Sequence, residues 1–174
     1  MYTEQDFKNV IREIPDFPKE GILFYDITTL LKDPEAYCEL ITAMADSLRD
    51  LDVDVVVGPE ARGFVIGSAV AYALHAGFVL ARKPGKLPAE VERLSYGLEY
   101  GSDCLELHKD AIKPGMRVAI ADDLLATGGT ALATAKLIES LGAEVVGLRF
   151  AIELCDLNGR ERLADYDVCS VMKY

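Results

Sequence analysis

Two hydrophobic patterns alternate along this chain. Tyr37, Leu40, Ile41, Met44 and Leu48 recur at the three- and four-residue spacing of one helix face. Asp33-Pro34 stands just ahead of them, and proline suits the first helical position. The second pattern is continuous: Val53 to Val57, Phe78 to Ala81, Arg117 to Ala121 and Glu144 to Ile152 are short apolar runs. They read as strands buried on both faces. Gly58-Pro59 ends the first and Asp122-Asp123 the third. Helices are predicted from about Gly63, and from about Gly129 to Leu141 with Gly142 as the C-terminal glycine. At the start, Thr3-x-x-Asp6 is a capping pattern for a helix through about Ile14, which the turn-rich stretch Ile14 to Gly21 breaks.

Strand–helix alternation predicts an α/β fold: one domain over 1–174 with a twisted, mainly parallel sheet flanked by helices. Ligands in such sheets bind beyond the carboxyl ends of the strands, so the chemistry is sought there. Residues 91–110 break the pattern. Leu94 to Gly101 and Cys104 to His108 read as short strands, and Gly97 and Gly101 flank Leu98-Glu99-Tyr100 as in a flexible hairpin or lid.

Composition narrows the function. The chain has 174 residues, 51% apolar and 27% charged, which is enough for one ordinary core. A net charge of -11 argues against sequence-independent binding to DNA, RNA or an anionic membrane. That charge is uneven. Residues 1–60 hold 5 basic and 14 acidic side chains, residues 61–89 hold 4 and none, and residues 90–174 hold 9 and 15. Residues 63–81 are uncharged and long enough to cross a bilayer, but Gly77 divides them into a helix and a strand. Cys38, Cys104, Cys155 and Cys169 show no CxxC spacing and no secretory signal precedes them, so free thiols in a cytoplasmic protein are expected. His75 and His108 do not have zinc-ligand spacing.

The strongest chemical signal is Asp122-Asp123-Leu124-Leu125-Ala126-Thr127-Gly128-Gly129-Thr130, an apolar strand running through two acids and a glycine turn into a helix. Glycines let backbone N–H groups approach a phosphate, and the helix N-terminus adds positive potential. Thr127 and Thr130 add hydroxyl donors. The acids would repel that phosphate, so they should face ribose hydroxyls or a Mg²⁺-bound water shell. No GxxxxGK[ST] or GxGxxG motif competes.

This run resembles the signature of the type I phosphoribosyltransferases, which bind 5-phosphoribosyl 1-diphosphate (PRPP). Phe17 to Phe24, Glu60 to Phe64, Arg82 to Pro88 and Leu98 to Gly101 resemble, in order, segments of the adenine-specific branch of that family. The likeness spans about residues 14–163. It implies the type I phosphoribosyltransferase fold, with residues 1–33 as an N-terminal arm and base-covering hood and 91–110 as a flexible catalytic loop. The implied reaction is adenine plus PRPP giving AMP and pyrophosphate with Mg²⁺, held mainly through PRPP, in a cytoplasmic homodimer.

By the same resemblance, Ala126, Thr127, Gly128, Gly129 and Thr130 cradle the 5-phosphate, and Asp122 and Asp123 hold the ribose. Glu60-Ala61 matches the pyrophosphate loop, where a cis peptide is implied, and Arg62 contacts the pyrophosphate. Arg82, Lys83 and Lys86 complete the cations of the acid-free window, whose charge-assisted hydrogen bonds suit a polyanionic leaving group. Glu99 matches the catalytic acid/base, with Tyr100 as a closure residue. Leu23, Phe24 and Tyr25 line the base site, with Phe24 stacking on the purine. Tyr25 departs from the family, which usually has Arg or Lys there. Two alternatives stay open: another 6-substituted purine as substrate, or a non-catalytic sensor of PRPP or purine. The second usually needs a nucleic-acid-binding module, and no basic extension supplies one.

Overall fold

The computed structural model describes residues 1–98 and 101–174, with the side chains of 96–98 and 101–103 left aside. Five strands form its central sheet: β3 (Val55–Pro59), β4 (Gly77–Ala81), β7 (Arg117–Leu125), β8 (Glu144–Glu153) and β9 (Val168–Lys173), in the order β4-β3-β7-β8-β9. Every pairing among them is parallel.

Side chains on a strand point alternately to opposite faces, and that alternation divides the core in two. Val56, Ala119 and Ala121 face helices α1 (Glu4–Val10), α2 (Thr28–Leu31), α3 (Pro34–Asp46) and α4 (Arg62–Leu74). Val55, Val57, Val118 and Ile120 face helix α5 (Gly129–Ser140) together with the antiparallel hairpin β5 (Val91–Leu98) and β6 (Gly101–His108). The predicted face of α3 is its packed face: Leu40, Ile41 and Met44 are buried, as is Leu48 just past the helix end, with Tyr37 at the margin. Asp33 caps that helix by accepting from the Glu35 and Ala36 N–H groups, both at 3.0 Å. No helix among the described residues is long and apolar enough to cross a membrane, and the uncharged stretch 63–81 is α4 followed by β4.

Three sequence expectations change. The first helix carries the predicted Thr3–Asp6 capping box but stops at Val10. Arg12–Pro15 is strand β1, paired antiparallel with β2 (Leu23–Asp26), because Thr29 competes for the helix end. Its hydroxyl donates to the Val10 carbonyl (2.6 Å) and accepts from the Arg12 N–H (3.1 Å). Strand β7 does not end at the acid pair but continues through it to Leu125, held by β8 as far as Glu153. Strand β9 was not foreseen; its polar-interrupted sequence gives a weak period-two signal, and it lies at the sheet edge.

Candidate active site

Strand β7 delivers the site. Asp122 and Asp123 lie in its last turn-ward half, residues 126–128 turn the chain, and α5 begins at Gly129. Gly128 has φ of 79°, a conformation that glycine adopts without a steric penalty. The first N–H groups of an α-helix stand outside its internal hydrogen-bond ladder, and the N-terminus of α5 lies at this turn. A cleft of about 240 Å³ lies over this corner, lined by residues 122–131 on one side and Glu60, Ala61 and Arg62 on the other.

The second wall comes from the β3–α4 junction. The Glu60-Ala61 peptide is cis, and Arg62 opens α4. The Arg62 side chain is ion-paired to Asp123 across the cleft. This contact joins the two motifs that the sequence read separately. Close packing explains the approach: a Cβ on Gly58 would stand 2.4 Å from the Gly63 carbonyl oxygen, and one on Gly63 would stand 2.8 Å from the Asp122 carboxylate. Both junctions need glycine.

The two acids differ. Asp123 is buried but answered by Arg62, which in turn is held more firmly protonated by that carboxylate. Asp122 accepts the Asp123 N–H at 2.8 Å, yet burial and the neighbouring Asp123 charge raise its pKa well above the usual carboxylate range.

A second, smaller cavity of about 140 Å³ lies under the N-terminal hairpin, lined by Phe24, Tyr25, Asp26, Ile27 and Thr28 together with Ile152. Arg62, Asp123 and Leu124 line both cavities, so the two adjoin. Asp26 fixes the hairpin, accepting from Arg12 Nε (3.0 Å) and the Thr28 N–H (2.9 Å). Hydrogen bonds from Thr28 and Arg12 hold its carboxyl at about 2. Phe24 meets Phe17 edge to face with ring centroids 5.2 Å apart. The Tyr25 ring lies 3.8 Å from that of Tyr174 at the end of β9. Leu23 is exposed and does not line the cavity.

The other cations are arranged differently from Arg62. The Arg82 side chain turns to Glu60, with Nε 3.2 Å from Oε2, and lies over the Phe64 ring. Glu60 also accepts the Lys83 N–H at 3.1 Å, and its pKa is lowered first by Arg82. Its carboxylate therefore braces the basic loop. Lys83 and Lys86 are exposed and outside the cleft lining. Glu99 and Tyr100 lie outside the described residues.

Sequence reasoning missed Gly159. It begins a 3-10 turn, Gly159–Leu163, whose backbone presses on the glycine corner. A Cβ on Gly159 would stand 2.1 Å from the Ala126 carbonyl oxygen. The Asn158-Gly159 turn dipeptide was the available signal. No group of three or more potential metal-ligating side chains occurs among the described residues.

Comparison with known proteins agrees with this geometry. Residues 26–173 match the model of the phosphoribosyl transferase domain. The adenine phosphoribosyltransferase of Alkaliphilus metalliredigens is 63% identical over 164 residues, covering 94% of this chain and 96% of that protein. The crystal structure of adenine phosphoribosyltransferase from Thermoanaerobacter pseudethanolicus superimposes with a TM-score of 0.95 at 53% identity, covering 99% of this chain and all of that one. The Saccharomyces cerevisiae enzyme, complexed with an imino-altritol bisphosphate and adenine, gives 0.92 at 41% identity, with 97% of each chain covered. Sequence motifs, paired cavities and overall likeness converge: the chain belongs to the phosphoribosyltransferase family, in its adenine phosphoribosyltransferase branch.

Proposed function

We propose that this protein transfers the 5-phosphoribosyl group of PRPP to adenine, giving AMP and pyrophosphate in purine salvage. The observation that carries this reading is the pair of adjoining cavities: a polar cleft at a glycine-rich helix N-terminus opens onto a more apolar one under an aromatic hairpin. A phosphorylated sugar in the first and a flat base in the second would meet at Arg62, Asp123 and Leu124.

The roles we assign combine the motif resemblance with the position of each residue where the structure describes it. Residues 126–130 take the 5-phosphate through the backbone N–H groups and the Thr127 and Thr130 hydroxyls. Asp122 and Asp123 accept from the ribose hydroxyls. Arg62 and the Glu60-Ala61 loop receive the pyrophosphate, with Arg82, Lys83 and Lys86 raising the positive potential nearby. Phe24 packs on adenine. Glu99 manages the proton of the purine ring and Tyr100 closes over it. Mg²⁺ suits this arrangement as an ion carried in on PRPP, since it keeps several waters and binds through substrate phosphates with one or two carboxylates. Bound there, it would offset charge on the leaving pyrophosphate.

We read residues 1–174 as one domain, with 1–33 as arm and hood and 91–110 as the catalytic loop. A homodimer suits the outer side of α4, where Tyr72 and Val65 are exposed. Free cysteines suit a reducing cytoplasm. Incubation with PRPP, Mg²⁺ and each of adenine, hypoxanthine, guanine and xanthine tests the reaction. AMP from adenine is expected. Nucleotide from an oxopurine alone would overturn the base assignment, and none from any base would favour a sensor.

A further inference from the structure

Glu106 is a charged residue in the core, with its side chain 1% exposed, and none of the roles above uses it. It lies on β6 directly across from Arg93 of β5, whose guanidinium is ion-paired to Oε1. On its other side it exchanges both backbone hydrogen bonds with Arg82, at 3.0 and 2.8 Å. Its Oε2 accepts the Gly85 N–H at 3.0 Å. A buried carboxylate is costly unless its partners are held in place, so this one constrains all three segments.

The consequence concerns the loop Arg82 to Lys86. Glu60 holds the Lys83 N–H and the Arg82 side chain, while Glu106 holds the Gly85 N–H. Two carboxylates thus grip the backbone of a basic loop at alternate residues. One comes from the cis-peptide loop of the cleft, the other from the hairpin that carries Glu99 in sequence. We propose that Glu106 is a positioning residue that couples the β5–β6 hairpin to the basic loop and so sets affinity for the diphosphate end of PRPP. This rests on the phosphoribosyl-transfer reading. The alternative, a carboxylate that only stabilises the fold, predicts no preference between substrates.

The test compares wild type with Glu106→Gln, Arg93→Gln and the double variant. Gln keeps an acceptor for the Gly85 N–H but loses the ion pair. Glu106→Gln is expected to raise KM for PRPP and the inhibition constant of pyrophosphate by about tenfold, with KM for adenine within about twofold. Arg93 is largely exposed, but Arg93→Gln leaves Glu106 buried without its cation, so it should move the same constants in the same direction, and the double variant, with no buried charge, controls for loss of fold. The double variant should add little to Glu106→Gln. Equal changes for PRPP and adenine, or a lowered Tm with unchanged kinetics, would overturn the proposal. Calorimetric binding of pyrophosphate with Mg²⁺ reads the coupling without turnover. Wild type making no AMP would refute the transfer reading, whereas unchanged pyrophosphate affinity in both single variants would refute the coupling.

Discussion

Arg62 at the start of α4 is ion-paired to Asp123 in β7, so the candidate pyrophosphate loop and the candidate ribose acids are in direct contact. Each neutralises what would otherwise be an unanswered charge at the cleft. On the proposed reading, pyrophosphate would compete for Arg62 and ribose hydroxyls for Asp123, so one substrate would supply replacement partners to both. We expect Arg62→Gln to lower kcat/KM for PRPP by about 10²-fold or more, since Asp123 is left buried and unpaired. Asp123→Asn should cost a similar amount. The double variant, assayed by the same steady-state kinetics, should lose less than the sum of the two. Additive losses would show that the residues act independently.

Gly159 tests the glycine corner from behind. The Arg160 guanidinium grips Glu153 at 2.9 and 2.6 Å and donates to the Val168 carbonyl at 2.8 Å, which fixes the turn against β8 and β9. Gly159→Ala would push its methyl into the Ala126 carbonyl, and the corner must shift by a sizeable fraction of an ångström. KM for PRPP should rise at least about tenfold while adenine binding under the hairpin is unchanged. Fluorescence or calorimetric titration with each ligand separates the two.

Much of this was legible because each signal was local. The α3 face, the glycine corner and the Thr3 cap are short-range patterns, and each is where the sequence puts it. The end of the first helix was not, because Thr29, far along the chain, decides it. Neither was the Arg62–Asp123 pair, which joins residues 61 positions apart across two parallel strands. Glu106 lies between Leu105 and Leu107 in a segment the sequence marks only as a short strand, and all three are buried. Pairings between distant segments leave no mark on periodicity.

Tyr25 shows the same limit. Its departure from the family's usual cation leaves its role open until the Tyr174 ring is seen 3.8 Å away. Lys8 lies over Tyr174, 4.8 Å from the ring centroid, so the hairpin is joined to β9 and α1. Tyr174→Ala should therefore loosen the base cavity, raising KM for adenine several-fold with KM for PRPP unchanged. The pair is worth about 0.5–1.5 kcal/mol beyond its buried area. Tyr25→Arg should lower Tm for the same reason, and an unchanged Tm would remove the stacking argument.

Glu99 carries a prediction of its own, from its place in the motif. Glu99→Ala should leave PRPP binding intact and cut kcat by about 10²–10⁴-fold, the range for a lost general acid or base. A pre-steady-state measurement at saturating adenine and PRPP checks the chemical step directly. An unchanged rate would transfer the proton role elsewhere.

Asp122 links activity to stability through pH. Burial, with the Asp123 charge beside it, raises its pKa in the folded protein above the unfolded value. Above about pH 4 the unfolded chain releases this proton while the folded chain keeps it. The folded state thus binds more protons, and stability falls as pH rises from there through the raised pKa. Asn cannot ionise, but its carbonyl oxygen can still accept the Asp123 N–H. Asp122→Asn should accordingly be more stable than wild type at pH 7.5, with the advantage shrinking towards pH 4.5. Thermal unfolding at the two pH values checks this, and an equal Tm difference at both would refute it. The same substitution removes a charged acceptor from the cleft, so KM for PRPP should rise. With the ribose role proposed for it, a carboxylate that costs stability at neutral pH fits a site selected for binding over stability.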